Sequence, residues 1–162
     1  MDSIIAPGRM KYIRSEKPEG CIFCRDSSRE EDLVLYEGKS CYVIMNKYPY
    51  SSGHLLVVPF RHIRTIEETN AEEKREMMEL VDMCVSILKK AVLPEGFNIG
   101  MNLGKVAGAG VADHLHMHVV PRWLGDTNFT TVLGDVRVIP EDIATTRNTL
   151  LSYFPRKKGY EE

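Results

Sequence analysis

Three histidines at every second position, His114, His116 and His118, interleave with Leu115, Met117 and Val119. A period of two is the pattern of a β-strand, whose successive side chains point to opposite faces. Read so, the imidazoles share one face and the apolar groups share the other. Three neighbouring imidazoles repel one another if protonated and need partners if neutral, which argues against a merely exposed histidine-rich strand. Two chemical readings then compete. Two histidines at i and i+2 on a strand can bind one zinc ion, provided a third ligand is found. A neutral imidazole can instead attack phosphorus and be regenerated by a second acceptor.

The rest of the chain frames that strand. With 162 residues it can build one genuine core and is too short for two ordinary domains, so residues 1–162 read as a single domain. Residues 1–20 carry Pro7, Gly8, Pro18 and Gly20 and read as an irregular arm. LVLYEG (from Leu33) and CYVIMN (from Cys41) read as a hairpin across Gly38-Lys39-Ser40. HLLVVPF (from His54) is almost wholly apolar, the mark of a central strand covered on both faces. One long helix is capped by Asn70 with Glu73 three residues on, and is stopped by Pro94 and Gly96. Met77, Val81, Cys84, Val85, Leu88 and Val92 form its apolar stripe, and at this spacing methionine is core filler. FNIGMN (from Phe97) is a further strand, and the loop LGKVAGAGVAD leads to the histidines. The C-terminal extension, residues 124–162, reads as a loop, a short strand VRVI and a terminal helix. Pro140 is expected in that helix's first turn, with Glu141 and Asp142 near its positive end. An early hairpin, one long helix and later strands make an α+β fold with an antiparallel sheet of about five strands.

Charge and cysteine usage narrow the partners. A net charge of -2 argues against coating a nucleic acid duplex, although a few local donors suffice for a small nucleotide. No apolar run reaches membrane-spanning length, and MDSIIAPGRMKYI lacks the form of a signal peptide, so a cytoplasmic protein is expected. There, cysteines stay reduced. The CIFC pair, Cys21 and Cys24, therefore reads first as metal ligation or redox chemistry, at the spacing of a zinc half-site. A redox dithiol is disfavoured because CIFC does not follow a strand and open a helix, and two inert thiols are the bland alternative. Cys41 and Cys84 read as core.

HLHMHVV matches the histidine-triad signature, in which three histidines alternate with apolar residues and a fourth apolar residue closes the run. NKYPYSSGHLLVVP resembles that family's ribose-binding and phosphate-facing stretch, with Asn46 and His54 at the expected separation. NLGKVAGAG resembles its glycine-containing loop, PRW follows the triad as it should, and the resemblance runs from about Cys21 to Trp123. It implies that His116 is the nucleophile that takes a nucleoside monophosphate as a covalent intermediate, with a pKa near ~6.5 leaving a lone pair available. It implies that His118 and His54 bind phosphate oxygens, one of them assisting the leaving group as acid. Asn46 would hold ribose, Ile44 and Leu56 would wall the base, and Trp123 would stack on a base or merely pack. Asn102 and Gly108-Ala109-Gly110 would offer donors to the other phosphates. Some relatives close a structural zinc site on such a cysteine pair with two histidines, here His62 and His114. A homodimer is expected, and no catalytic divalent ion.

Two departures point within the family. VAGAGVAD stands where the phosphoramidase and dinucleoside-triphosphatase branches have a Gly-Gln pair. PGRMKYI and WLGDTNFTTVLGDVRVIPED look like the branch containing diadenosine tetraphosphate phosphorylases. The expected substrate is thus a diadenosine polyphosphate, with inorganic phosphate ahead of water as acceptor and Lys105 or Arg122 near it. The alternatives are a dinucleoside polyphosphate or phosphoramidate hydrolase of the same family, a hydrolase with catalytic zinc on the triad, and a non-catalytic nucleotide-binding adaptor.

Overall fold

A computed structural model describes residues 20–25, 29–111, 113–126 and 139–155. The strands β1 (Val34–Glu37), β2 (Cys41–Met45), β3 (Leu55–Pro59), β4 (Gly96–Gly100) and β5 (Met117–Arg122) form one sheet in the order β1-β2-β3-β5-β4. Every pairing is antiparallel. The apolar run of β3 is central and buried throughout, because helix covers one face and side chains from the segment before β1 cover the other. The arm at 1–19, Ala112, and residues 127–138, which include most of VRVI, lie outside the described residues. No helix among the described residues is long and apolar enough to cross a membrane.

Helix α1 (Ala71–Ala91) begins with the expected reciprocal cap: Asn70 Oδ1 accepts from Glu73 N and the Glu73 carboxylate accepts from Asn70 N, both at 2.9 Å. Met77, Val81, Cys84 and Leu88 pack on Cys41, Val43, Met45, Leu55, Val57 and Val119, forming the main core. Val85 and Val92 are only partly buried, while Leu80 and Ile87, outside the expected stripe, join the core. Helix α2 (Ile143–Leu151) starts later than Pro140 suggests. Asp142 caps it by accepting from Thr145 N at 3.0 Å, which leaves Pro140 and Glu141 ahead of the helix. Leu150 on this helix and Phe154 just beyond its end join the same core.

The opposite face of the sheet carries Phe23, Tyr42, Ile44, Leu56 and Val58. One correction concerns this face. The ladder of β5 starts at Met117, so His114 and His116 precede it rather than lying in a regular strand. Leu115 N donates instead to Ile63 O at 2.7 Å, and the chain ahead of β5 is drawn toward the loop that follows β3.

Candidate active site and metal centre

Cross-strand partners point to the same face of a sheet. His118 lies opposite Leu56, which lies opposite Ile44, so the His118 ring stands on the Ile44–Leu56 face. Asn46 and His54 sit one residue outside β2 and β3 and close the turn between them by Asn46 N to His54 O, 3.0 Å. The side-chain bonds here determine which ring nitrogen holds each proton. His54 Nδ1 accepts from the Tyr50 amide at 3.0 Å and from Asn46 Nδ2 at 3.2 Å, the Asn46 orientation being set because its Oδ1 accepts from Tyr48 N at 2.9 Å. The His54 proton is therefore on Nε2, which donates to His118 Nδ1 at 2.9 Å. His118 in turn must hold its proton on Nε2. That atom is buried and has no hydrogen-bond partner among the described residues.

His116 is arranged differently. Its Nδ1 lies 2.8 Å from the His114 carbonyl oxygen, which can only accept, so the proton sits on Nδ1 and the lone pair on Nε2. The His116 and His118 rings are 4.9 Å apart, edge to face, and the Phe23 ring stands 5.1 Å from His116. Burial pushes the His116 imidazole below its ordinary range, against the hydrogen bond to His114 O, which raises it. Burial, and secondarily His116, pushes His118 down to about 4. Burial favours the neutral form of both rings, and His118, which accepts at Nδ1, must be neutral for its hydrogen bond to form.

The other two histidines turn toward the cysteines. Cys21 Sγ is 3.2 Å from His114 Nδ1, and Cys24 Sγ is 3.3 Å from His62 Nδ1 and 3.6 Å from His114 Nδ1. All four donor atoms lie within 4.8 Å of one another, so the cluster can hold a metal ion. Tetrahedral zinc with ordinary Zn–S and Zn–N bonds has ligand–ligand edges of about 3.3–3.8 Å, close to the three shortest contacts here. His114 Nε2 donates to Pro59 O at 2.9 Å, which directs its Nδ1 lone pair at the thiols. The loop bearing His62 is clamped by Arg61, whose guanidinium meets Glu73 at 2.7 and 2.8 Å and Glu68 O at 2.7 Å.

The remaining expected residues divide. Ile44 and Leu56 are buried beside Phe23, where they make one apolar wall. The Asn102 amide donates to Gly108 O at 3.4 Å, but the Gly108 and Ala109 amides are engaged inside the loop, with Lys105 O and Gly104 O. Trp123 lies five residues beyond His118, about 17 Å along an extended chain, and its Nε1 donates to Leu93 O at 3.2 Å. Arg122, at the far end of β5, is paired with Asp126 and Asn98. Neither is brought to the histidines. Sequence reasoning missed Phe23 and Tyr50. Phe23 sits inside CIFC, where the thiols draw the eye, and Tyr50 lies in the stretch that resembles the ribose-binding and phosphate-facing segment, where Asn46 and His54 carry the signal.

Comparison with known proteins agrees with this geometry. The HIT domain model matches residues 27–123. AP-4-A phosphorylase of Mycobacterium tuberculosis is 44% identical over 130 residues, 80% of this chain and 67% of that protein. An adenylylsulfatase of Arabidopsis thaliana is 36% identical over 116 residues, 71% of this chain and 58% of that protein. Among solved structures, a zinc-bound histidine triad family protein of Mycobacterium smegmatis superimposes with a TM-score of 0.62 at 29% identity, over 75% of this chain and 82% of that one.

Proposed function

The chain belongs to the HIT domain family, and on that footing we propose that it is a nucleotidyl-transferring enzyme which cleaves diadenosine polyphosphates through His116, with inorganic phosphate as the preferred acceptor. The reading is carried by the pair of opposite tautomers: a lone pair on His116 Nε2 beside a donor on His118 Nε2. The His116 lone pair attacks the phosphorus of one nucleotidyl group. An N–P bond forms, the P–O bond to the polyphosphate breaks, and the leaving group departs as an anion that needs no proton. The ring becomes cationic in this step, and its Nδ1–H bond to His114 O stabilises that charge. His118 Nε2–H donates to a phosphoryl oxygen as charge moves onto it. Phosphate then attacks the nucleotidyl group, the N–P bond breaks, and the lone pair returns to His116. Both ring nitrogens of His54 are engaged, so it acts through His118 and not on phosphate directly. Asn46 holds the ribose and Ile44 and Leu56 hold the first base.

The Cys21, Cys24, His62 and His114 cluster is assigned to structural zinc, a reading supported by its four donor atoms and by the existence of a zinc-bound histidine triad family protein. With four protein ligands the ion leaves no open position for water and supplies stability. The exposed outer strand β4 is the expected seam of a homodimer. Product analysis with diadenosine tetraphosphate tests the reaction. ADP plus ATP, formed only with phosphate and lost in His116→Ala, supports it. AMP plus ATP without phosphate would make the protein a hydrolase of the same family, and no turnover in either condition would overturn the substrate.

A further inference from the structure

A dinucleoside polyphosphate has two bases, and the apolar wall of Ile44, Leu56 and Phe23 can receive one of them. We propose that Tyr50 is the stacking platform for the second base, the one that departs with the polyphosphate; this rests on the two-base substrate of the preceding section. The Tyr50 ring lies against the His54–His118 pair, 4.8 Å from His54 and 5.8 Å from His118, nearly parallel to the latter at 18°. A ring there only to fill space would be covered. Tyr50 keeps 44% of its surface exposed, and its neighbour Tyr48 keeps 37%.

Position argues for the departing base. Leu56 and Ile44 lie inward along β3 and β2 from His54 and Asn46, toward Phe23. Tyr50 meets the histidine pair from the turn at the other end, beyond Asn46. A nucleoside monophosphate fills the inward side alone, so only a ligand that continues past its phosphates reaches the tyrosine. The platform is also preorganised. Pro49 restricts the backbone just before it, the Ser51 hydroxyl donates to Pro121 O at 2.7 Å, and Gly53 adopts a φ of +78° with its Cα side close against Leu88. A rigid aromatic surface loses little entropy on binding, and a π-face accepts any base, so affinity rather than base identity is what it supplies.

The test measures binding in the His116→Ala background, where the ligand persists, with diadenosine tetraphosphate and adenosine 5′-tetraphosphate as probes. With Tyr50 present the two-base ligand should bind roughly tenfold more tightly, the size of one base–aromatic stack. Tyr50→Phe should keep that preference and Tyr50→Leu should abolish it, while affinity for the one-base ligand reports whether the phosphate site survives. In a separate Tyr50→Trp variant, emission beyond that of Trp123 should be quenched by the two-base ligand and not by the other. Equal affinities with Tyr50 intact, or a preference that outlives Tyr50→Leu, would overturn the proposal. Cleavage is measured separately with His116 in place, so failure of the reaction and failure of the platform are told apart.

Discussion

His114 and His116 stand two residues apart on one extended segment and expose opposite ring nitrogens. His114 donates from Nε2 to Pro59 O and turns Nδ1 to the thiols, whereas His116 donates from Nδ1 to His114 O and keeps its lone pair on Nε2. In each case a backbone carbonyl selects the tautomer, and the selected tautomer decides what the ring can do. On the proposed function, identical side chains at neighbouring positions thus belong to two centres, one structural and one chemical. The difference arises from which carbonyl each ring can reach, and His114 reaches its own only because β3 ends beside it.

The sharpest way to break this division is to exchange the two losses. His116→Ala should lower turnover by roughly a thousandfold or more, as loss of a nucleophile does, while leaving metal content and thermal midpoint near those of the parent. His114→Ala should do the reverse, with metal content falling below one ion per chain and the midpoint dropping. Elemental analysis, calorimetry and initial rates on both variants check this. Parallel losses of metal and turnover in His116→Ala would mean the two centres are one.

Removing the metal from the intact chain sharpens the same point. Chelation should lower the thermal midpoint by on the order of 10 °C, since a metal that binds only the folded state stabilises it by mass action. Rates measured well below that midpoint should survive. Immediate loss of turnover with no change in midpoint would place the ion in the chemistry instead.

Much of this arrangement is legible in the sequence, and the parts that are not share a cause. The apolar run of β3, the reciprocal cap of Asn70 and Glu73, and the helical stripe through Met77 and Leu88 are local patterns with local explanations. Of the five histidines, His62 and His114 lie with the cysteines, and His54, His116 and His118 lie together. Period two misleads at His114 and His116, where bonds to Pro59 and Ile63, far off in sequence, draw the chain out of the ladder. The β1–β2 turn is held by the Glu76 carboxylate, which accepts from the amides of Lys39, Ser40 and Cys41 at 2.7, 2.5 and 2.8 Å. Nothing near Gly38 announces a partner on the helix. Glu73 reads as half of a cap, yet it is also the anchor for Arg61 beside His62. The tautomers of His54 and His118 are the least legible of all, because they depend on partners supplied by the fold.

Within the chemical centre, His54 and His118 should behave as one unit. If His54 acts only by holding His118 in its donor tautomer, either single alanine variant should lose roughly one to two orders of magnitude in kcat/KM, and the double variant should be little worse than His118→Ala. Fully additive losses in a double-mutant cycle would show that His54 touches the phosphates itself.

The smallest effect is the most particular to the buried pair. His118 is held at about 4, below the ordinary imidazole value near 6.5, because burial disfavours its charged form. A ring of ordinary pKa would be about half neutral at pH 6.5 and only about a tenth neutral at pH 5.5, so a site built on it would lose about fivefold in rate over that interval. Here the loss over that interval should be well under fivefold, with the acid limb displaced downward. Stability carries the matching sign. The folded pKa lies below the unfolded one, so the unfolded chain binds more protons, and the contribution of His118 is fully present above about pH 6.5 and erodes as pH falls toward 4. His118→Gln should therefore flatten the dependence of the thermal midpoint on pH within that window. An unchanged slope in the variant, beside a parent rate that halves near pH 6.5, would mean that the ring titrates as if in water and that the neutral relay from Tyr50 through His54 is not what orders the site.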